Sequence, residues 1–415
     1  MPSRSSLPIG VALALCLSVG AAARQAETPP AAPPPPASQR EDEGRAQYPP
    51  LLANSFVSAN VGFINYPFSD RQLEPGYRAE SVYVPHVAVR AVLFGRHFGK
   101  YLSAQASYMR PVRYVKYRQI EGAGTRSVWM HFGTVTLLAR APAGSRFSIY
   151  GEGGLGISNR SGFEIDDEPA VRDAHVSSLL VGGGLEYHAS PAVDLVLGIS
   201  YIPPHERTRQ PEMVFSSLGI RYNMRPLPPA RVQETLAAGF TFPKHLVQIG
   251  YATNAFGYRP NNFFSRTVPV FWGGKVEVER SVSVQYQRNL FHTKKRLALD
   301  LGASAGTWTS RVNGERFQTV AVYPLVRYLF FRQPAADVYL AYSVAGPSYI
   351  SRRVIDARDT GGAFTFQDFM GVGMFAGRDK HLNIEIGLNH YSNGNLMADN
   401  AGVKIPLTFK VGYAF

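Results

Sequence analysis

The chain has 415 residues, 45% of them hydrophobic and 18% charged, with a formal net charge of +13. That is enough apolar content for a large core or a coated barrel, but no run of about 18 apolar residues follows the N-terminus, which excludes a transmembrane helix there. The positive charge is dispersed in short groups such as Lys294-Lys295-Arg296 and Arg352-Arg353, which suit solvated turns, snorkelling side chains or anionic lipid phosphates; no long basic block marks a nucleic-acid partner.

Residues 1–23 read as a secretory signal peptide: Arg4, then the apolar stretch Ile9 to Gly20, then the small residues Ala21, Ala22 and Ala23. Cys16 is the only cysteine, and Leu15 before it is too bulky for a lipobox. The mature chain is therefore expected to carry no disulfide and no cysteine metal site. Residues 24–50 are rich in proline and alanine and read as an extended spacer.

From residue 51 the pattern becomes that of strands. We place them at 55–68, 83–98, 101–119, 127–141, 146–163, 175–189, 193–205 and 212–224. Short turns at Gly99-Lys100, Ala143-Gly144 and Ser190-Pro191 alternate with longer polar links at 69–82, 120–126 and 164–174. Short turns on one side and long loops on the other mark an up-and-down outer-membrane barrel. The prolines at 226, 228 and 229 cannot sit in a central strand. We read 51–225 as an N-terminal barrel, 226–235 as a linker and 236–415 as a second barrel. Its strands are placed at 245–256, 266–290, 296–311, 316–331, 336–350, 364–376, 381–393 and 404–415, with longer links at 257–265, 351–363 and 394–403. The expected fold is all-β: two antiparallel up-and-down barrels of about eight strands each. One wide barrel of about sixteen strands, a porin-like channel, is the alternative. Helix signals are poor outside residues 230–236.

The most informative stretch runs from His381 to Gly394. Leu382, Ile384, Ile386 and Leu388 alternate with Asn383, Glu385, Gly387 and Asn389, so this is a two-faced strand. His390 and Ser392 continue the apolar parity. A base and a nucleophile thus sit side by side on a face that, in a membrane barrel, looks towards lipid. Strand counting places them near the outer end. A serine attacking an ester while histidine takes its proton is the chemistry such a pair supports.

The motif His390-Tyr391-Ser392-Asn393, with Asn400 and Gly402 after it and a small barrel before it, resembles the PagL family of outer-membrane lipid A 3-O-deacylases. The resemblance spans roughly residues 235–415 and is specific at the His-x-Ser-Asn segment. It implies Ser392 as nucleophile, His390 as base, Asn400 with Asn393 on the oxyanion and substrate side, and the 3-O-linked acyl chain of lipid A as substrate. It implies no cofactor and no metal, and lipid A or lipopolysaccharide as the partner. The alternating aromatic strand ending in Phe415 resembles the sorting signal read by the outer-membrane assembly machinery. In one place the chain departs from the family pattern. The acidic triad member falls twelve residues after the serine, where this chain has Lys404. A lysine cannot orient an imidazole as a carboxylate does. If the hairpin turns around Arg378-Asp379, antiparallel pairing sets residue 367 or 368 opposite 390, which nominates Asp368 as the acid. A non-enzymatic structural barrel with an inherited His-Ser pair is the rival reading.

Other patterns carry less. Gly302-Ala303-Ser304-Ala305-Gly306 matches a nucleophile elbow but lies within a strand. The glycines at 151–154 and 182–184 follow no βαβ pattern. His86, His97, His131, His188 and His205 lack metal-ligand spacing. Glu164, Asp166, Asp167 and Glu168 read as a solvated outer loop.

Overall fold

The computed structural model describes residues 37–415, except 123, 268–273, 395, 396 and 398. The signal peptide expected at 1–23 and most of the spacer lie outside the described residues. The first barrel consists of β1 (Ser55–Asn65), β2 (Val87–Phe98), β3 (Leu102–Pro111), β4 (Arg126–Pro142), β5 (Phe147–Ser161), β6 (Ala174–His188), β7 (Val193–Ile202) and β8 (Met213–Met224). Each pairs antiparallel with the next, and β1 pairs with β8 to close the ring. The second barrel consists of β9 (His245–Thr253), β10 (Val276–His292), β11 (Leu297–Ser310), β12 (Arg316–Arg332), β13 (Ala336–Ile350), β14 (Phe364–Ala376), β15 (Leu382–Ser392) and β16 (Val403–Ala414). It closes by pairing β9 with β16. At that seam the backbones of His245 and Phe415 exchange hydrogen bonds of 2.8 and 2.9 Å. Two separate closed rings rule out the single wide channel.

Period-two alternation explains both walls. On β10, Val282 and Val284 point outward, 55% and 51% exposed, while Ser283, Gln285 and Gln287 are buried in the lumen. This inversion of a soluble core suits hydrocarbon outside and a hydrogen-bonded interior, with every backbone group paired in the ring. The lumen of the second barrel holds a continuous polar network. Lys410 donates to Glu385 at 3.0 Å and Tyr339 to the same carboxylate at 2.9 Å. Arg327 bridges Asp300 and Gln287, and Gln287 leads through Gln248 to Asn383. In the first barrel Glu152 takes Arg90, Gln105 and Thr136, and Glu186 takes Arg140 and Arg221. Each of these buried charges has an opposite partner, which is the condition for keeping it ionised away from water.

Three sequence expectations change. The strands placed at 83–98 and 101–119 are each interrupted. Pro85 removes a ladder donor, leaving a ribbon at Ala79–Tyr83 before β2, and the chain leaves the ladder after Pro111 and resumes at Val115–Ile120. These two ribbons pair with each other beyond the barrel rim. The strand placed at 266–290 starts only at Val276, and the link at 257–265 is largely helix, α1 (Arg259–Thr267). A second helix, α2 (Pro229–Leu236), fills the expected linker and starts on its proline, which suits the first helical turn. The four acidic residues of the 164–168 region turn a small hairpin, with Asp166 and Asp167 at φ of 51° and 63°.

Close packing fixes the β14–β15 contact. Gly387 faces Gly371 in the register, and Phe369 lies across both: a Cβ on Gly387 would meet the Phe369 ring at 2.4 Å and the Met370 carbonyl oxygen at 2.6 Å. Gly387→Val is expected to cost about 1–3 kcal/mol by overpacking. A lowered thermal midpoint for the loss of heat-modifiable gel mobility in detergent would show it, and an unchanged midpoint would contradict this packing.

Candidate active site

The site is assembled by the register of three neighbouring strands. Asp368 on β14 stands opposite His390 on β15, and His390 stands opposite Lys404 on β16. All three share the outward face. A bulge between β15 and β16 shifts the register after Gly387. It swaps the parity of β16, so that Lys410 and Thr408 face the lumen below it while Ile405 and Val403 face in above it. Lys404 thereby comes to face outward beside His390.

The imidazole Nδ1 of His390 lies 3.3 Å from Oδ2 of Asp368. The other carboxylate oxygen, Oδ1, accepts the backbone N–H of Ala345 at 2.8 Å. Ala345 belongs to an irregularity on β13 between Ser343 and Gly346, and it has φ of 54°. Sequence reading missed this contact: nothing in Ser343-Val344-Ala345-Gly346 signals that an alanine turns its N–H towards a neighbouring strand. The carboxylate is held from one side and presents its second oxygen to the histidine. With Nδ1–H donated to Asp368, Nε2 is the basic nitrogen. Ser392, two residues along on the same face, is partly exposed.

His390 keeps the expected outward parity, but it is only 1% exposed, and Leu388 below it only 4%. The wall at this level is covered, so the histidine is not bathed in acyl chains as parity alone implied. On the Lys404 side the cover comes from the segment between β9 and β10. Asn261 of α1 donates to the Ile405 carbonyl at 2.8 Å, and the Tyr258 ring lies 5.3 Å from Nζ of Lys404. Because β9 ends at Thr253, β10 and β16 meet directly above it, pairing Glu277 with Lys404. Their side chains form an ion pair at 2.9 Å, and Arg311 binds the same carboxylate at 2.6 Å. Lys404 is neutralised locally instead of facing His390 as a bare charge.

The loop after Ser392 is tied down by two asparagines. The backbone N–H of Asn393 donates to Oδ1 of Asn400 at 3.2 Å. The Asn393 side chain is fully buried, and its amide donates to the carbonyls of Thr360 at 3.0 Å and Asp399 at 2.6 Å. The N–H of Ala401 donates to the Asp359 carbonyl at 2.9 Å. Asn393 thus stitches its loop to the outer loop between β13 and β14, and its amide hydrogens are spent on backbone. Asn400 uses its oxygen on Asn393, which turns its amide nitrogen away from that contact. Within the β13–β14 loop, the Arg353 guanidinium bonded to Asp359 holds that carboxyl below the usual aspartate range. The tie is complete at neutral pH and is lost only as acidification passes below that range.

The remaining candidates separate. Ser304 is buried in the lumen and donates to Gln367 at 3.0 Å, so it is no nucleophile elbow. Among the described residues no group of three or more His, Cys, Asp or Glu is placed to hold a metal ion.

Fold and site together define a bacterial outer-membrane protein made of two eight-stranded barrels, the second with a Ser-His-Asp grouping on its outer wall near the rim. Residues 279–413, most of that second barrel, match the family model described as Lipid A 3-O-deacylase (PagL). Among solved structures the chain is similar to the outer membrane enzyme PagL, with 16% identity, a TM-score of 0.29, and coverage of 41% of this chain and 98% of that one. It is also similar to Neisserial surface protein A, with 15% identity, a TM-score of 0.29 and coverage of 41% and 97%. A third is the N-terminal barrel of Pseudomonas aeruginosa OprF, with 14% identity, a TM-score of 0.27 and coverage of 41% and 98%. No curated protein matches the chain.

Proposed function

We propose that the second barrel is an esterase that removes the 3-O-linked acyl chain of lipid A in the outer leaflet. The observation that carries this reading is the contact between His390 and Asp368, whose second oxygen is fixed by Ala345. It supplies a carboxylate to the histidine from β14 although Lys404 occupies the family's acidic position on β16. In the proposed reaction His390 Nε2 takes the proton of Ser392 Oγ as that oxygen attacks the ester carbonyl. Asp368 holds the tautomer and stabilises the imidazolium, and the amide nitrogen of Asn400 stabilises the developing oxyanion. The proton on His390 then passes to the departing sugar oxygen, and water repeats the sequence to release the fatty acid and restore Ser392. No step calls for a metal. Asn393 serves the reaction through the loop it clamps. We further assign the terminal Phe415, 54% exposed beside His245 and Tyr413, to recognition by the barrel-assembly machinery.

The test is mass spectrometry of lipid A from cells with and without the protein. Loss of one 3-hydroxyacyl chain that depends on Ser392 supports the reading; unchanged lipid A despite abundant folded protein would refute it. Asn393→Ala leaves the Thr360 and Asp399 carbonyls without their donor and frees the loop that carries Asn400. We expect a fall in kcat of roughly tenfold or more with a smaller change in KM. A purely substrate-binding asparagine would raise KM instead.

A further inference from the structure

The first barrel carries a second row of polar side chains on an outward face. His131 on β4, Asn159 on β5 and His175 on β6 are register partners across three adjacent strands. Lower on the same walls the outward residues are apolar and open: Val135 and Leu137 are 58% and 56% exposed. His131 and Asn159, by contrast, are only 2% and 3% exposed. Polar groups on a lipid-facing parity, closed off from lipid, need a cover. Trp129 packs beside them, its ring 4.6 Å from that of His131, and its indole nitrogen is buried without a hydrogen bond.

Hydrogen bonding assigns the direction of the row. His175 Nδ1 lies 2.6 Å from Oδ1 of Asn159, and Nδ2 of Asn159 lies 3.0 Å from Nε2 of His131. Asn159 therefore donates to Nε2, which places the proton of His131 on Nδ1. That Nδ1 makes no hydrogen bond within its own barrel and faces the backbone of Gly394, two residues after Ser392. The topology agrees on depth. β4 runs inward from its outer end at Arg126, and β15 runs outward to Ser392, so His131 and the catalytic pair lie at the same level of the membrane.

We propose that this wall of the N-terminal barrel is a docking surface for the 393–402 segment of its own C-terminal barrel, and that His131 is a positioning residue for the oxyanion loop. The donor at Nδ1 restrains the Gly394 carbonyl, and through it the Asn393–Asn400 pair. The positioning role rests on the deacylase reading; the docking does not. On this account the N-terminal barrel walls the lipid-facing side of a site that one eight-stranded barrel leaves open to bilayer.

Cysteines at His131→Cys and Gly394→Cys, in a full-length Cys16→Ser chain, test the docking. After oxidation in membranes and cleavage at a protease site placed in the 226–228 linker, the two halves should stay joined on a non-reducing gel. Leu137→Cys with Gly394→Cys should not link. Gly394 has φ of 62°, so a benzophenone side chain at position 131 is the second measurement, expected to capture peptide 393–402 of the same chain. No capture by either route, or links only between two copies, would overturn the docking. For positioning, His131→Leu should lower kcat about tenfold with little change in KM, and His131→Asn, whose amide keeps a donor near Nδ1, should recover most of it. Equal rates in wild type and His131→Leu would overturn that role. If the halves link but wild type leaves lipid A untouched, the deacylase reading falls and the docking stands. Deacylation without linkage has the opposite meaning.

Discussion

Ser392→Ala should leave lipid A fully acylated at position 3 in cells where the wild-type chain removes that acyl group. When nucleophile and base work as a unit, removing either costs nearly as much as removing both, on the order of 10⁶ in kcat for serine hydrolases. Ser392 ends β15 on the same face as His390, and the loop that follows is held by Asn393 and Asn400. Its hydroxyl takes no part in the lumen network, so its loss should leave the barrel intact. Heat-modifiable mobility and surface display should match wild type while the mass of lipid A shifts by one acyl chain. An active Ser392→Ala variant would end the nucleophile assignment whatever else the barrel does.

Asp368→Asn should be nearly as damaging and is the more discriminating change. The amide keeps the size of the side chain and its contact with Ala345. It cannot stabilise an imidazolium, and it presents either a donor or a weak acceptor to Nδ1. In a serine triad this substitution costs about 10⁴ in kcat. Because His390 has β14 on one side and β16 on the other, the structure also predicts a rescue. Lys404→Glu combined with Glu277→Gln puts a carboxylate opposite His390 without setting it against Glu277. In the Asp368→Asn background this pair should regain at least tenfold in kcat. Deacylation at the wild-type rate by Asp368→Asn alone would show that Asp368 is not the acid.

The fold was legible because an outer-membrane barrel writes its topology in one dimension. Alternation, short turns and long loops are local, and they suffice for a meander in which every strand pairs with its neighbour. The breaks at Pro85 and Pro111 and the late start of β10 were not read, since a rim ribbon or a covering helix has no period of its own. The opposition of Asp368 to His390 could be drawn from hairpin arithmetic. The bulge that turns Lys404 outward, the turned N–H of Ala345 and the short β9 that lets Glu277 reach Lys404 left no trace in residue type. Each is a property of how two strands meet.

By itself, then, the sequence determined strand count, barrel boundaries, and the shared outward parity of His390 and Ser392, because these follow from a side-chain period of two and from proline chemistry. Only the tertiary structure decided that His390 is almost wholly covered, that Asn393 spends its amide on backbone carbonyls, and that His131 of the first barrel faces Gly394 of the second. Parity says which way a side chain points. What lies in that direction depends on segments far away in the chain, brought there by the closure of two rings.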